Sequence, residues 1–260
     1  MIIDKFRCYL LVISVAFQIA CNSSNQSSSN IASKVSTDKV TAPISRSLSE
    51  QDPLENNYLD HAVLMVHSEP LKVGKADILR YLSEHPMKID SAFMLYSTPA
   101  TGDSSIIYEI SGFRTTDQHQ YRRLIIWNTK TGSRKKELEY IAPSQAYSTI
   151  DPLIDVQRQA WMKLCNQHQV NQLVSQLYAP RAIYYNHKPI IQGTEDIIRE
   201  YQYMNSPGYH LTLTPLFTLR VNDAEVFEIG QGSGSYAGKY ILIWQKTTDG
   251  PWKVILDSNI

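Results

Sequence analysis

The sequence predicts an α+β protein in which one unit, antiparallel strands packed with helices, occurs twice, the first copy without the long N-terminal helix of the second. Three observations carry this. The chain repeats itself at an offset of about 120 residues, each copy reads as a helix followed by four extended runs, and an amphipathic stretch of helical period precedes only the second copy.

The repeat is visible residue by residue. Tyr58-Leu-Asp-His-Ala62-Val-Leu-Met-Val-His67 lies over Tyr178-Ala-Pro-Arg-Ala182-Ile-Tyr-Tyr-Asn-His187. After a one-residue slip, Pro70 and Gly74 lie over Pro189 and Gly193, and Asp77-Ile-Leu-Arg80 over Asp196-Ile-Ile-Arg199. Tyr108-Glu109-Ile110 then meets Phe227-Glu228-Ile229, and Leu124-Ile-Ile-Trp127 meets Ile241-Leu-Ile-Trp244. Slips fall where turns are expected.

In chain order, Lys5 and Arg7 precede the apolar run Cys8 to Phe17, and Ala20 precedes Cys21. This is the three-part form of a secretory signal over residues 1–20, too short to span a bilayer as a stable helix. Residues 21–53 open on a Ser/Asn-rich stretch with no apolar periodicity, which predicts a flexible tether. In the first copy, residues 54–143, Gly74 opens a helix over Lys75 to Glu84, with Asp77 in its first turn and Pro86 as its stop. Strands follow over Ala92–Ser97, Ser105–Phe113, Tyr121–Asn128 and Lys135–Ile141. In the second copy, residues 151–260, Leu153, Val156, Ala160, Trp161, Leu164 and Cys165 recur at helical spacing after the Asp151-Pro152 cap. Val170, Leu173, Val174 and Leu177 mark a short helix, and Thr194 to Met204 a third. Strands are expected over His210–Val221, Glu225–Gly232, Lys239–Gln245 and Trp252–Asp257, with Asn222-Asp223 and Asp249-Gly250 as turn pairs.

Composition narrows the function. The chain has 43% hydrophobic residues, enough for a core, and 25 basic against 25 acidic residues. A neutral chain lacks the basic excess that nucleic-acid binding needs, and removing a signal leaves it within one charge of neutral. Arg134-Lys135-Lys136 beside Gly132 reads as a solvated turn. Of the three cysteines, Cys8 leaves with the signal, Cys21 is the lipidation candidate, and Cys165 on an apolar helix face reads as core. The mature chain therefore forms no internal disulfide. Histidines are scattered, so no metal site is expected, and the Gly230–Gly234 stretch precedes no helix, so no nucleotide cofactor is expected.

Two resemblances follow from these residues. The Ala20-Cys21 junction resembles the lipobox of bacterial lipoproteins, with Gln18 where that family prefers Leu. It implies acylation of Cys21 and anchoring at the cell envelope, with ordinary secretion as the alternative. The element order, together with Leu177-Tyr-Ala-Pro-Arg-Ala182, Ile191-Gln-Gly193, Gly238-Lys-Tyr-Ile-Leu-Ile-Trp244 and Asp249-Gly-Pro-Trp-Lys253, resembles the nuclear transport factor 2-like superfamily on its SnoaL-like side. The resemblance covers residues 153–260 well and 55–142 weakly. It implies two cone-like curved sheets and, in the second copy, a pocket beneath the long helix. That fold hosts isomerases, cyclases, dehydratases and inert binding modules, so it does not fix a function. Laid over this chain, the Asp base of ketosteroid isomerase falls on Asn186, and in the first copy on Val66; neither takes a proton.

The weak catalytic candidates are Glu228 and His187. Both have counterparts in the copy without the long helix, Glu109 and His67, which favours structural roles. Residues special to the second copy are the ligand-binding candidates: Trp161 and His168 on the long helix, Tyr184 and Asn186 on one strand face, Tyr240 and Trp244 on another. The favoured reading is a lipid-anchored envelope protein whose second copy binds an unknown small apolar or amphipathic molecule without catalysis. An isomerase, cyclase or dehydratase using a pocket carboxylate or His is the alternative, and a structural assembly module a third. The two copies are expected to pack sheet to sheet.

Overall fold

The computed structural model describes residues 57–145, 152–187, 189–248 and 250–260. The signal, Cys21, the tether and the starts of both copies lie outside them. Two six-stranded sheets and four α-helices make an α+β fold.

The first copy runs β1 (Tyr58–Val66), β2 (Lys72–Val73), α1 (Lys75–Glu84), β3 (Ile89–Pro99), β4 (Ile106–Thr115), β5 (Gln120–Asn128) and β6 (Lys135–Pro143). The second runs α2 (Leu153–Asn166), α3 (Val170–Leu177), β7 (Tyr178–Tyr185), β8 (Ile191–Gln192), α4 (Thr194–Tyr201), a 3-10 turn (Gln202–Asn205), β9 (Leu211–Asn222), β10 (Glu225–Gly234), β11 (Lys239–Lys246) and β12 (Trp252–Ser258). Strand orders are the same, β2-β1-β6-β5-β4-β3 and β8-β7-β12-β11-β10-β9. Each sheet is an antiparallel meander closed by one parallel pair, β1 with β6 and β7 with β12, because the meander's last strand returns beside the copy's first. Among the described residues no helix precedes β1.

The repetition reaches backbone detail. Gly74 and Gly193 sit at φ 89° and 94°, a region open to glycine at no steric cost. Each donates its N–H to the first strand, to Ala62 O and Ala182 O at 2.8 Å, and each offers its carbonyl to the helix it opens. The outer strands β3 and β9 carry register shifts opposite β4 and β10, and such bulges bend a strand. Pro215 is tolerated in β9 because β9 is an edge strand.

The phase of α2 differs from the apolar stripe expected from sequence. Leu153 and Val156 are exposed, and the buried face is Ile154, Arg158, Trp161, Leu164 and Cys165. The reason is electrostatic: a buried carboxylate beneath the helix draws Arg158 inward. Strand alternation divides the apolar residues into three clusters. One fills the second copy between its sheet and α2, α3 and α4. One joins α1 to the first sheet. The third draws Tyr108, Ile110, Leu124 and Tyr140 from the first sheet and Phe227, Ile229, Ile241 and Leu256 from the second. Polar ties cross the same interface. Tyr140 and His67 hold Glu225, His187 and Tyr185 hold Glu137, and the Tyr108 hydroxyl donates to Ile260 O at 2.9 Å.

Candidate functional site

The second sheet curves around α2 and leaves a small cavity of about 20 Å3, roughly the space for one water. Trp161 comes from the buried face of α2, Tyr201 from the end of α4, and Tyr209 and Tyr236 from loops. Tyr240 and Leu242 alternate inward along β11. Tyr240 lies across Gly230, where an added Cβ would fall 2.1 Å from the ring, so this packing requires glycine there.

One carboxylate lines the cavity. Asp257 on β12 is buried, and its Oδ2 accepts from the Tyr178 hydroxyl at 2.5 Å and the Tyr201 hydroxyl at 2.6 Å. Among the described residues Oδ1 accepts no hydrogen bond and no cation contacts the group. Burial pushes its pKa up to about 6, against the lowering effect of the two tyrosines. The sequence reading sets Asp257 at the end of the last expected strand and not among the ligand-binding candidates.

The repeat shows what is unusual about it. Glu139 pairs with Leu64 as Asp257 pairs with Tyr184, so the two carboxylates hold the same place in their sheets. Tyr58 donates to Glu139 as Tyr178 donates to Asp257. Glu139, however, also receives the Lys136 ammonium at 2.8 Å and has the Arg123 guanidinium 3.5 Å away. Burial raises its pKa, and these two cations outweigh burial and bring it below its ordinary value. Lys136 sits opposite Trp127; opposite Trp244 stands Val254. Arg123 sits opposite Ser111; opposite Gly230 stands Tyr240. Both cations are thus replaced by neutral side chains in the second copy.

Glu228 is fully buried and saturated. Arg158 reaches it with Nε at 2.7 Å and Nη2 at 2.6 Å, the Tyr240 hydroxyl at 2.8 Å and the Trp244 indole at 3.2 Å. Its counterpart Glu109 accepts from the Trp127 indole at 3.1 Å and pairs with Arg134, which also stacks over Trp127. The Glu–Trp pair is a repeated structural element, with a cation from a different place in each copy.

The remaining expected residues scatter. His187 lies beyond the end of β7 at φ 63° and bonds Glu137 of the first sheet, away from the cavity. His168 lies past the end of α2, in the turn before α3, and bonds Met204 O at 3.1 Å. Trp161 and Tyr240 line the cavity, and the Trp161 indole donates to Tyr178 at 3.0 Å. Tyr184 packs edge-on to Tyr201 and donates to Asn259 at 2.6 Å; Asn186 donates to the Tyr184 hydroxyl at 3.1 Å. Trp244 is buried behind Glu228. Among the described residues no group of His, Cys, Asp and Glu is placed to hold a metal ion, and no helix is long and apolar enough to cross a membrane.

No protein-family model matches the chain, and no curated protein matches it. Its structural neighbours include nuclear transport factor 2-like and ketosteroid isomerase-like proteins. A ketosteroid isomerase-like protein from Erwinia carotovora is 12% identical, covering 42% of this chain and 94% of its own, with a TM-score of 0.33. A putative dehydratase of the NTF2-like family from Streptomyces avermitilis is 11% identical, over 41% of this chain and 92% of its own, with a TM-score of 0.34. A domain of unknown function with a cystatin-like fold from Nostoc punctiforme is 14% identical, over 41% and 73%, with a TM-score of 0.35.

Proposed function

We propose that the second copy is a binding module that takes a small ligand with an apolar body into its cone, and that Asp257 is the polar group receiving it. One observation carries this reading. The carboxylate at this place in the sheet is neutralised by Lys136 and Arg123 in the first copy, and in the second it faces an aromatic cavity with tyrosine hydroxyls as its only partners among the described residues. A few polar groups in a largely apolar hollow are the usual composition of a small-molecule site. The cavity has room for about one water, so a larger ligand requires the surrounding side chains to move.

On this reading the chain is a cell-envelope lipoprotein, tethered through Cys21, and the first copy supports the second through the shared cluster between the sheets. Native mass spectrometry of the purified protein tests the binding reading: a co-purifying small molecule lost on Asp257→Asn supports it. Metabolic labelling with a fatty acid, lost on Cys21→Ser, tests the anchor.

A catalytic reading has one observation in its favour. A carboxyl that titrates near 6 suits proton transfer at neutral pH. It would act alone, because Glu228 is locked by Arg158 and His187 lies outside the cavity. Binding is therefore preferred.

A further inference from the structure

We propose that the cavity of the second copy recognises a small organic cation, an alkylammonium group whose charge settles against Asp257 among aromatic rings. This rests on the binding reading above and names its ligand class.

The cavity offers few free polar groups at depth. Its buried donors are already spent: the Tyr201 hydroxyl goes to Asp257, the Tyr240 hydroxyl to Glu228 at 2.8 Å and the Trp161 indole to Tyr178. The half-buried Tyr236 hydroxyl goes to Lys239 O at 2.9 Å. What remains at depth is an acceptor, Oδ1 of Asp257. A ligand that must accept, such as a carbonyl or an anion, finds donors only at the half-buried Asn259 amide and Tyr209 hydroxyl, and at depth meets a carboxylate. A ligand that donates or carries positive charge finds its partner.

Charge gives the same answer. An ionised carboxylate in apolar surroundings is costly unless a cation or donors compensate it. The other buried carboxylate of this copy, Glu228, has Arg158 to itself, so Arg158 is not available to Asp257. Trp161, Tyr201, Tyr209, Tyr236 and Tyr240 surround the space, and electron-rich rings favour ammonium groups that have left water. The first copy contains an internal precedent for the chemistry. There the Lys136 ammonium bonds Glu139 and lies 4.9 Å from the Tyr58 ring and 5.9 Å from Trp127, all buried. The second copy keeps the carboxylate, tyrosine and tryptophan as Asp257, Tyr178 and Trp244, and has Val254 for the lysine. An external ammonium supplies the missing charge.

The test is an NMR titration of the purified protein with methylammonium and tetramethylammonium, set beside the neutral methanol and tert-butanol and the anion acetate. The expected result is that an ammonium probe, methylammonium before the bulkier tetramethylammonium, shifts Asp257 and the cavity aromatics. Neutral partners and acetate should leave them in place. The affinity should fall at least tenfold on Asp257→Asn, and fall likewise in the unmodified protein as pH drops below 6 and the carboxyl protonates. Neutral probes binding as well as their cationic partners, unaffected by Asp257→Asn and by pH, would overturn the cation inference while leaving a binding cone intact. No probe of any class perturbing the cavity, with no ligand in the native mass spectrum, would overturn both.

Discussion

Glu139 and Asp257 occupy one position in two copies of one sheet, each next to a tyrosine that donates to it, yet their environments are opposite. Glu139 is compensated by Lys136 and Arg123, and its pKa lies below the ordinary value. Among the described residues Asp257 has only hydroxyls, and its pKa rises to about 6. The difference teaches that the first copy compensates this carboxylate from its own strands, while the second leaves it open toward a cavity. A buried, uncompensated carboxylate lowers stability, and such a cost is characteristic of sites kept for function.

The largest expected effect comes from the carboxylates that are compensated in both copies. Arg158→Leu leaves Glu228 buried without its cation and should cost about 3–5 kcal/mol in urea unfolding. Arg134→Leu, at a residue 37% exposed on its side chain, should cost far less, about 1 kcal/mol. Equal losses would show that the two Glu–Trp pairs do not differ as described.

Asp257→Asn should act with the opposite sign. The folded pKa lies above the unfolded one, 3.8 raised to about 6, so ionising Asp257 disfavours the fold. The stability tied to its protonated form is full below pH 4, declines between 4 and 6, and is gone above. The asparagine variant should be more stable than the parent by about 3 kcal/mol at pH 8, with the gain vanishing near pH 4. A loss of stability at pH 8 would mean that the carboxylate is compensated after all.

Lys136→Met makes the first copy more like the second. Glu139 keeps Tyr58 and a more distant Arg123, and its titration should move up from below its ordinary value. Carboxyl NMR that finds it unmoved would remove Lys136 from the explanation.

The smallest effect concerns the contact between sheets. The hydrogen bond to Glu225 raises the His67 pKa above 6.5, against its burial; Tyr140, Asn222 and Gln245 also reach that carboxylate. The stability this gives is full below pH 6.5 and lost as pH rises through the raised value. His67→Gln should flatten that part of the pH profile by less than about 1 kcal/mol, read from unfolding midpoints between pH 6 and 8.

Much of this fold is legible in the sequence because the repeat is legible. Tyr58 over Tyr178, Gly74 over Gly193 and Trp127 over Trp244 align the elements, and strand alternation along β11 places Tyr240 and Leu242 inward before any coordinates. The α2 phase was obscured because Arg158 is charged, and hydrophobic periodicity reads a charged residue as surface. Its partner Glu228 is distant in sequence, and only the fold joins them. His187 and His168 looked like candidates by chemistry, but each sits in a turn where its bond is structural. Asp257 stands outside the candidate list for a different reason. Continuing the repeat past Gly132 and Gly250 lays Glu139 over Asp257, and the accompanying change of Lys136 to Val254 is a visible loss of charge. The burial that makes that loss matter is not visible in the sequence.

The central claim, that one copy has an internally compensated carboxylate and the other an open one, is tested most directly by following both in a single sample. Carboxyl-carbon NMR across pH 2 to 8 should show Asp257 titrating near 6 and Glu139 below 4.5, with methylammonium lowering the first and leaving the second in place. Asp257 titrating at or below 3.8 without added ligand would contradict the account.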